Sequence, residues 1–354
     1  MRRLWNCDAA PRTGINVRSV DIHTHILPET WPDFAKKFGY GTEKFLRIEH
    51  QDSCCARLFK GDTFFRAIES NCWDSGTRIA ECDEHGINVQ VLSTVPVMFS
   101  YWARAEHTHE IAQFLNDDLA ATVQAHPNRF IGLGTVPMQD PERACVELER
   151  CIKELGFAGV QIGTNVNQKN LSDPLFYPFF EHAAALGAAI FVHPWDIMGA
   201  ESMERYWLPW LVGMPAETSR AICSFIFGGL FERLPSLRVA FAHGGGSFPS
   251  TVGRIEHGYN VRPDLCAIDN QVNPRSYLGK FYLDSLVHDS DVLVSLIKLI
   301  GHDKIALGTD YPFPLGELQP GQLIHSLPDV ADDVKARLLS GTALEWLGLP
   351  DFTF

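Results

Sequence analysis

Val20-Asp21-Ile22-His23-Thr24-His25 is the stretch on which the fold turns. Side chains two apart on a strand point the same way. His23 and His25 can therefore face one side together at the strand's C-terminal end, a geometry that suits two ligands on one metal. An HxH pair alone is equally well met by two surface histidines. What lifts this one is its place at the end of a strand pattern that recurs down the chain.

Short apolar, β-rich runs lie at 20–23, 88–94, 130–136, 159–163, 189–193, 239–243, 281–284 and 305–308. Most are continuously apolar rather than alternating, which marks parallel strands buried on both faces. Helical patterns fill the gaps at 110–125, 141–155, 174–186, 217–233, 289–300 and 330–347. Pro141 opens one of them and Gly156 follows its end, the usual asymmetry of helix termini. Eight strand signals alternating with helices predict an α/β fold, a (β/α)8 TIM barrel. The 354 residues suit one such barrel over 20–354 after an extension at 1–19. One segment breaks the rhythm. Residues 28–77 carry short runs at 45–49, 56–59 and 63–68 around Gly61, read as a small antiparallel insertion after the first strand. In a barrel such an insertion covers the catalytic face.

The formal net charge of -13 argues against nucleic acid or membrane as a partner, since both reward clustered Lys and Arg. It leaves room for an acidic small substrate, because a few buried arginines can dominate a pocket. The 9 cysteines are odd in number and lack CxxC spacing, and adjacent Cys54 and Cys55 cannot easily bridge each other. A reducing, cytoplasmic setting is expected. No apolar run approaches the ~18 residues of a membrane span. Residues 1–19 have two early arginines but no apolar stretch of a secretory signal.

Two further strand patterns end in histidine: Ile190-Phe191-Val192-His193 and Ala240-Phe241-Ala242-His243. The last runs into Gly308-Thr309-Asp310. A polar residue at the C-terminal end of a barrel strand usually belongs to the active site. Any one of them could be a structural histidine or a turn aspartate; four agreeing by accident is far less expected. Three imidazoles with one carboxylate suit Zn2+ better than Mg2+ or Ca2+, which prefer oxygen, while Mn, Fe and Co stay open. The glycines at 244–246 are not a phosphate loop, because no GxxxxGK[ST] or GxGxxG pattern frames them. His107 and His109 sit on a polar helix start and are expected to be solvated.

This constellation resembles the amidohydrolase superfamily. There the first-strand HxH, the fifth-strand histidine and the eighth-strand aspartate bind the metal, and binuclear members add a carboxylated lysine at the end of strand four. That strand here reads Gly159-Val160-Gln161-Ile162-Gly163-Thr164, and Lys169 lies beyond it in a loop. The resemblance thus implies one Zn2+ per subunit, held by His23, His25, His193 and Asp310. His243 is left to shuttle protons, with Asp310 helping to orient water.

Longer runs narrow the match to the metal-dependent decarboxylases of that superfamily. They include Trp31-Pro32-Asp33, Phe38-Gly39-Tyr40-Gly41, 92–102, 206–218 and Asp310-Tyr311-Pro312-Phe313-Pro314. The branch they resemble acts on 2-amino-3-carboxymuconate 6-semialdehyde, an open-chain dicarboxylate, in tryptophan breakdown through kynurenine. This diverts a metabolite that otherwise cyclises to quinolinate. The resemblance implies that activated water adds to the conjugated system while a proton reaches the carbon bearing the carboxylate; CO2 and water then leave. It also implies that Arg66 and Arg254 bind the substrate carboxylates, Arg254 reaching in from the neighbouring subunit of a homodimer. Trp210, Phe313 and Trp195 are candidate pocket walls, although ordinary packing explains them nearly as well. Residues 1–19 and the loop 197–203 depart from the pattern.

Three other readings compete. A decarboxylase of an aromatic acid such as a resorcylate would use the same ligands. So would a lactone or amide hydrolase, without releasing CO2. A barrel that had lost catalysis and serves as a scaffold should lack a ligand or the proton carrier, and none is missing.

Overall fold

A computed structural model describes residues 18–354 of the protein. Of the expected extension at 1–19, all but its last two residues lie outside the described residues. In chain order the strands are β1 (Val20–Ile26), β2 (Leu46–His50), β3 (Cys55–Lys60), β4 (Thr63–Glu69), β5 (Val89–Thr94), β6 (Phe130–Gly134) and β7 (Gly159–Gly163). There follow the short pair β8 (Asn165–Val166) and β9 (Lys169–Asn170), then β10 (Ala189–His193), β11 (Arg238–Phe241), β12 (Tyr282–Asp284) and β13 (Ile305–Ala306).

Eight of these, β1-β5-β6-β7-β10-β11-β12-β13, form one parallel sheet in chain order. The sheet closes on itself between β13 and β1. The Ile22 N–H donates to the Leu307 carbonyl, the Asp310 N–H to the His23 carbonyl and the His25 N–H to the Tyr311 carbonyl, each at 2.8 Å. These bonds place Asp310 directly beside the HxH pair. All eight predicted strands are present. The sixth stops at Phe241, short of the expected 243, because the chain leaves it in a turn where His243 has φ 57°.

The insertion is the expected antiparallel sheet, ordered β2-β3-β4. Residues 75–77, read as its end, belong instead to a helix, Ser75–His85, capped by Asp74, which accepts from the Thr77 N–H. That helix buries Arg78, Cys82 and His85, and another at Phe248–Val261 buries only Phe248 and Val252; neither belongs to the expected set. The helix expected over 217–233 is two, Met214–Phe227 and Leu230–Arg233, broken where Gly229 adopts φ 70°. The last expected helix, 330–347, divides into Asp332–Ala336 and Thr342–Leu347 around a wider turn at Arg337–Gly341.

Strand alternation sorts the core. On β10, Ile190 and Val192 pack outward against the helices, while Ala189 and Phe191 face the lumen. Trp346 meets Phe191 from the final helix and plugs the lumen at the end away from the histidines. The same two-residue period carries His193 to the lumen's mouth. On β1 a regular period would not suffice. Val20 and Ile22 belong to the lumen cluster, and His23 and His25 lie an odd number of residues further on. The register against β5 shifts between Asp21 and Thr24. That bulge turns the histidines back toward the axis. Among the described residues no helix is long and apolar enough to cross a membrane.

Candidate metal centre

Four strand ends converge at the mouth. One ligand atom each from His23, His25, His193 and Asp310 lie within 4.8 Å of one another. The imidazoles stand roughly perpendicular, with ring centroids 4.9–5.2 Å apart. Each histidine has its Nδ1 engaged. His23 Nδ1 donates to Asp284 at 2.7 Å, His25 Nδ1 to the Thr94 carbonyl at 3.2 Å and His193 Nδ1 to the Pro194 carbonyl at 3.0 Å. All three Nε2 atoms are buried without a hydrogen-bond partner. Asp310 Oδ1 lies 3.2 Å from His25 Nε2 and 3.5 Å from His23 Nε2.

Buried polar atoms are almost always paired. Three orphaned nitrogen lone pairs aimed at one carboxylate are what a bound cation explains, so these residues fit a divalent metal. Burial lowers His25 and takes His193 well below the usual imidazole range, so both are neutral, as ligands must be. Burial would lower His23 too, but the hydrogen bond to Asp284 and the nearby Asp310 outweigh it and raise it. Burial would raise the Asp310 carboxyl, but His25 and His23 beside it outweigh that and hold it at about 2.

The fourth barrel strand, β7, carries no lysine; its Gln161 is fully buried. Its amide donates to the Thr94 carbonyl at 2.8 Å and accepts from the Ser93 hydroxyl at 2.9 Å. Gln161 thereby steadies the same carbonyl that orients His25. Lys169 is exposed and paired with Asp173. One metal is what this donor set offers.

His243 stands beside the cluster, its ring 5.0 Å from His23 and its Nε2 4.0 Å from Asp310 Oδ2. Burial, with His23 adding to it, lowers it to about 4, so at neutral pH it is an uncharged proton acceptor. A cavity opens over the cluster. Phe65 and Arg66 from β4 roof it, with Trp195, Trp210 and Phe313 among its walls. The Arg66 guanidinium lies 4.7 Å over the Phe313 ring. Arg254 is exposed on the helix Phe248–Val261 and does not line this cavity.

Sequence reading missed several contributors. Trp207 also lines the cavity. Asp21, fully buried, accepts from the Thr309 hydroxyl at 2.6 Å and ties the HxH strand to the Asp310 strand. Burial pushes its carboxyl up to about 7. Asp284 supports His23. It ends its strand as His193 does, a signal the sequence carries.

A closed parallel barrel with three histidines and an aspartate at the C-terminal ends of its strands defines a metal-dependent barrel enzyme. The chain belongs to the amidohydrolase family, whose profile matches residues 20–349, and several of its relatives are named as decarboxylases. It is 58% identical over 330 residues, 93% of this chain and 91% of the relative, to 2-amino-3-carboxymuconate-6-semialdehyde decarboxylase of Dictyostelium discoideum. It is 39% identical to the protein of that name from Caenorhabditis elegans, over 94% of this chain and 95% of the relative. The crystal structure of 5-carboxyvanillate decarboxylase from Sphingomonas paucimobilis superposes with a TM-score of 0.79 at 25% identity, covering 94% of this chain and 99% of that one. A dihydroxybenzoic acid decarboxylase from Polaromonas, solved with bound manganese, superposes with a TM-score of 0.75 at 24% identity, covering 94% and 97%.

Proposed function

We propose that this enzyme decarboxylates 2-amino-3-carboxymuconate 6-semialdehyde to 2-aminomuconate 6-semialdehyde and CO2. It does so with one zinc ion per subunit, in the kynurenine route of tryptophan breakdown. The observation that carries the reading is Arg66. Its guanidinium roofs the cavity above the metal ligands and lies over the Phe313 ring. A planar fork held there suits a substrate carboxylate better than a lysine would. The high identity to relatives named for this substrate supports the same choice.

When bound, the divalent ion activates water and balances charge that develops on the substrate. The chain's own residues do the rest. His23, His25, His193 and Asp310 hold the ion through atoms that have no other use. Arg66 fixes one carboxylate and so sets which carbon faces the cluster. His243, neutral and beside Asp310, would take a proton at Nε2 from a water whose hydroxide adds to the conjugated system, and would hand that proton to the carbon bearing the carboxylate. The electron pair freed as CO2 leaves then re-forms the double bond and expels the hydroxide. Phe313, Trp210 and Trp195 keep the cavity apolar and strengthen the polar contacts inside it.

Zinc is favoured by three imidazoles and one carboxylate. Arg254 takes its place as a donor from a second copy of the chain. It is exposed on the helix Phe248–Val261, and Val261, Leu265 and Ile268 expose apolar side chains just beyond it. Free cysteines among the described residues, Cys54 exposed and the others partly or fully buried, support a reducing, cytoplasmic setting.

The test is substrate choice by the zinc-loaded protein. The semialdehyde and 2,6-dihydroxybenzoate are offered separately, and captured CO2 is measured. The reading expects CO2 from the first, at least 100-fold faster than from the second. CO2 from the aromatic acid alone would replace the substrate while leaving the metal centre in place.

A further inference from the structure

Asp284 is fully buried at the end of β12, and among the described residues no Lys or Arg forms a salt bridge with it. Four N–H groups converge on its carboxylate. Oδ2 accepts from His23 Nδ1 at 2.7 Å and from the His243 backbone N–H at 2.8 Å. Oδ1 accepts from the Gly244 N–H at 2.7 Å and the Leu286 N–H at 3.1 Å. We propose that Asp284 is a positioning residue that locks the ligand His23 and the proton carrier His243 into one shared geometry. The proposal rests on the metal and decarboxylase reading above.

The chemistry at each end is specific. An ionised carboxylate only accepts. Facing His23 Nδ1, it requires the proton to sit there, which leaves the Nε2 lone pair directed at the metal cluster. Facing the turn after β11, it holds two successive residues in the left-handed region, His243 at φ 57° and Gly244 at φ 59°. That region is ordinary for glycine and uncommon for histidine, so the turn needs outside support. Without it the chain leaving β11 has little reason to present the His243 ring to the cluster.

Packing allows little slack. A Cβ built on Gly308 would lie 2.6 Å from the Asp284 Cβ and 2.9 Å from the His23 Cβ. The backbone after β13 therefore presses on both residues at once. Sliding either one away from the other would open a void in a fully buried layer.

Asp284→Asn is the direct variant. An amide has the same shape but offers one acceptor oxygen and one NH2. Whichever way it turns, two of the four N–H groups face a donor. If the NH2 faces His23, the imidazole must move its proton to Nε2 and lose its lone pair for the metal. If it faces Gly244 and Leu286, the turn carrying His243 loses its support. Gly308→Ala is the second variant. It disturbs the same pair by bulk and changes no polar group.

The experiment has three arms. Metal-free protein is titrated with zinc against a chromophoric chelator, and both variants are expected to bind roughly 10- to 100-fold more weakly, as loss of a ligand's supporting partner usually costs. With zinc saturating, kcat on the semialdehyde is expected to fall at least about 10-fold while KM stays within about 2-fold, because Arg66 is untouched. The third arm needs no variant: the imidazole 15N spectrum of wild-type metal-free protein is expected to show His23 protonated at Nδ1. A resonance showing His23 protonated at Nε2 instead overturns the proposal. So does an Asp284→Asn protein whose zinc affinity and saturated kcat both match wild type. Zinc affinity lost in the variants, in a protein that never acts on the semialdehyde, supports the positioning role and sinks only the substrate.

Discussion

The His23 imidazole meets the Phe191 ring edge-on, centroids 5.0 Å apart with an interplanar angle of 69°. Phe191 in turn rests on Trp346. The metal cluster thus has a dry aromatic floor, continuous with the plug that closes the far end of the lumen. Stability and site geometry share these residues.

Phe191→Ala should therefore cost both. Removing a fully buried phenylalanine costs about 3–5 kcal/mol through lost transfer energy and the void left behind. Denaturant unfolding of the metal-free protein should show that loss. Zinc affinity should fall with it, because His23 loses the wall that fixes its ring. A variant destabilised with zinc affinity intact would show that the floor is only structural.

Arg66→Met should separate binding from metal chemistry. Metal content by elemental analysis should stay at one per subunit, since Arg66 touches no ligand. Loss of a charge-assisted bond to the substrate carboxylate is worth about 1.5–3 kcal/mol. A drop of roughly 10- to 100-fold in kcat/KM follows. Unchanged kcat/KM would remove Arg66 from the substrate site.

The proposed crossing of Arg254 between subunits predicts complementation. Arg254→Ala and His243→Ala should each be nearly inactive alone. Mixed and allowed to exchange subunits, they form dimers in which one site has both residues intact. With random exchange, roughly a quarter of wild-type activity should return, half the dimers being mixed with one good site in two. No recovery in demonstrably mixed dimers would place Arg254 outside the neighbour's site.

Far from the metal, Glu345 links the final helix to the barrel. Lys304 and the Tyr282 hydroxyl each donate to it at 2.8 Å, and Arg337 also donates. Burial would raise its carboxyl, but these donors outweigh that and hold it at about 2, below its ordinary 4.5. A carboxyl depressed on folding stabilises the fold above its unfolded pKa. That contribution should be present above pH 4.5 and vanish as pH falls toward 2. Melting of Glu345→Gln against wild type should show a gap at pH 7 that narrows below pH 4.5; a gap independent of pH would contradict the assignment. Solvent exposure of the pair keeps the effect modest.

Much of this was legible in the chain. His193 follows from simple alternation on β10, and the barrel follows from eight apolar runs. His23 and His25 were visible as a pair, but their aim depends on the bulge between Asp21 and Thr24, which no two-residue period reveals. Asp284 ends its strand as His193 does, yet its role emerges only when β12 lies beside β11 and β13. The helix Ser75–His85 escaped notice because the side chains it buries include Arg78 and His85, so its inward face is not an apolar stripe. Arg254 marks the opposite limit: one chain's fold leaves it on the surface.

The metal cluster and His243 are proposed to release CO2 from the semialdehyde together. The most direct measurement follows captured CO2 and loss of the substrate chromophore on freshly generated 2-amino-3-carboxymuconate 6-semialdehyde. It compares zinc-loaded wild type, metal-free wild type and zinc-loaded His243→Ala. The account predicts one CO2 per substrate consumed by the zinc-loaded wild type. The metal-free protein should release none. His243→Ala, with its zinc retained, should be slower by at least about 100-fold. Chromophore loss at only the spontaneous cyclisation rate in all three samples, with no CO2 captured, would contradict it.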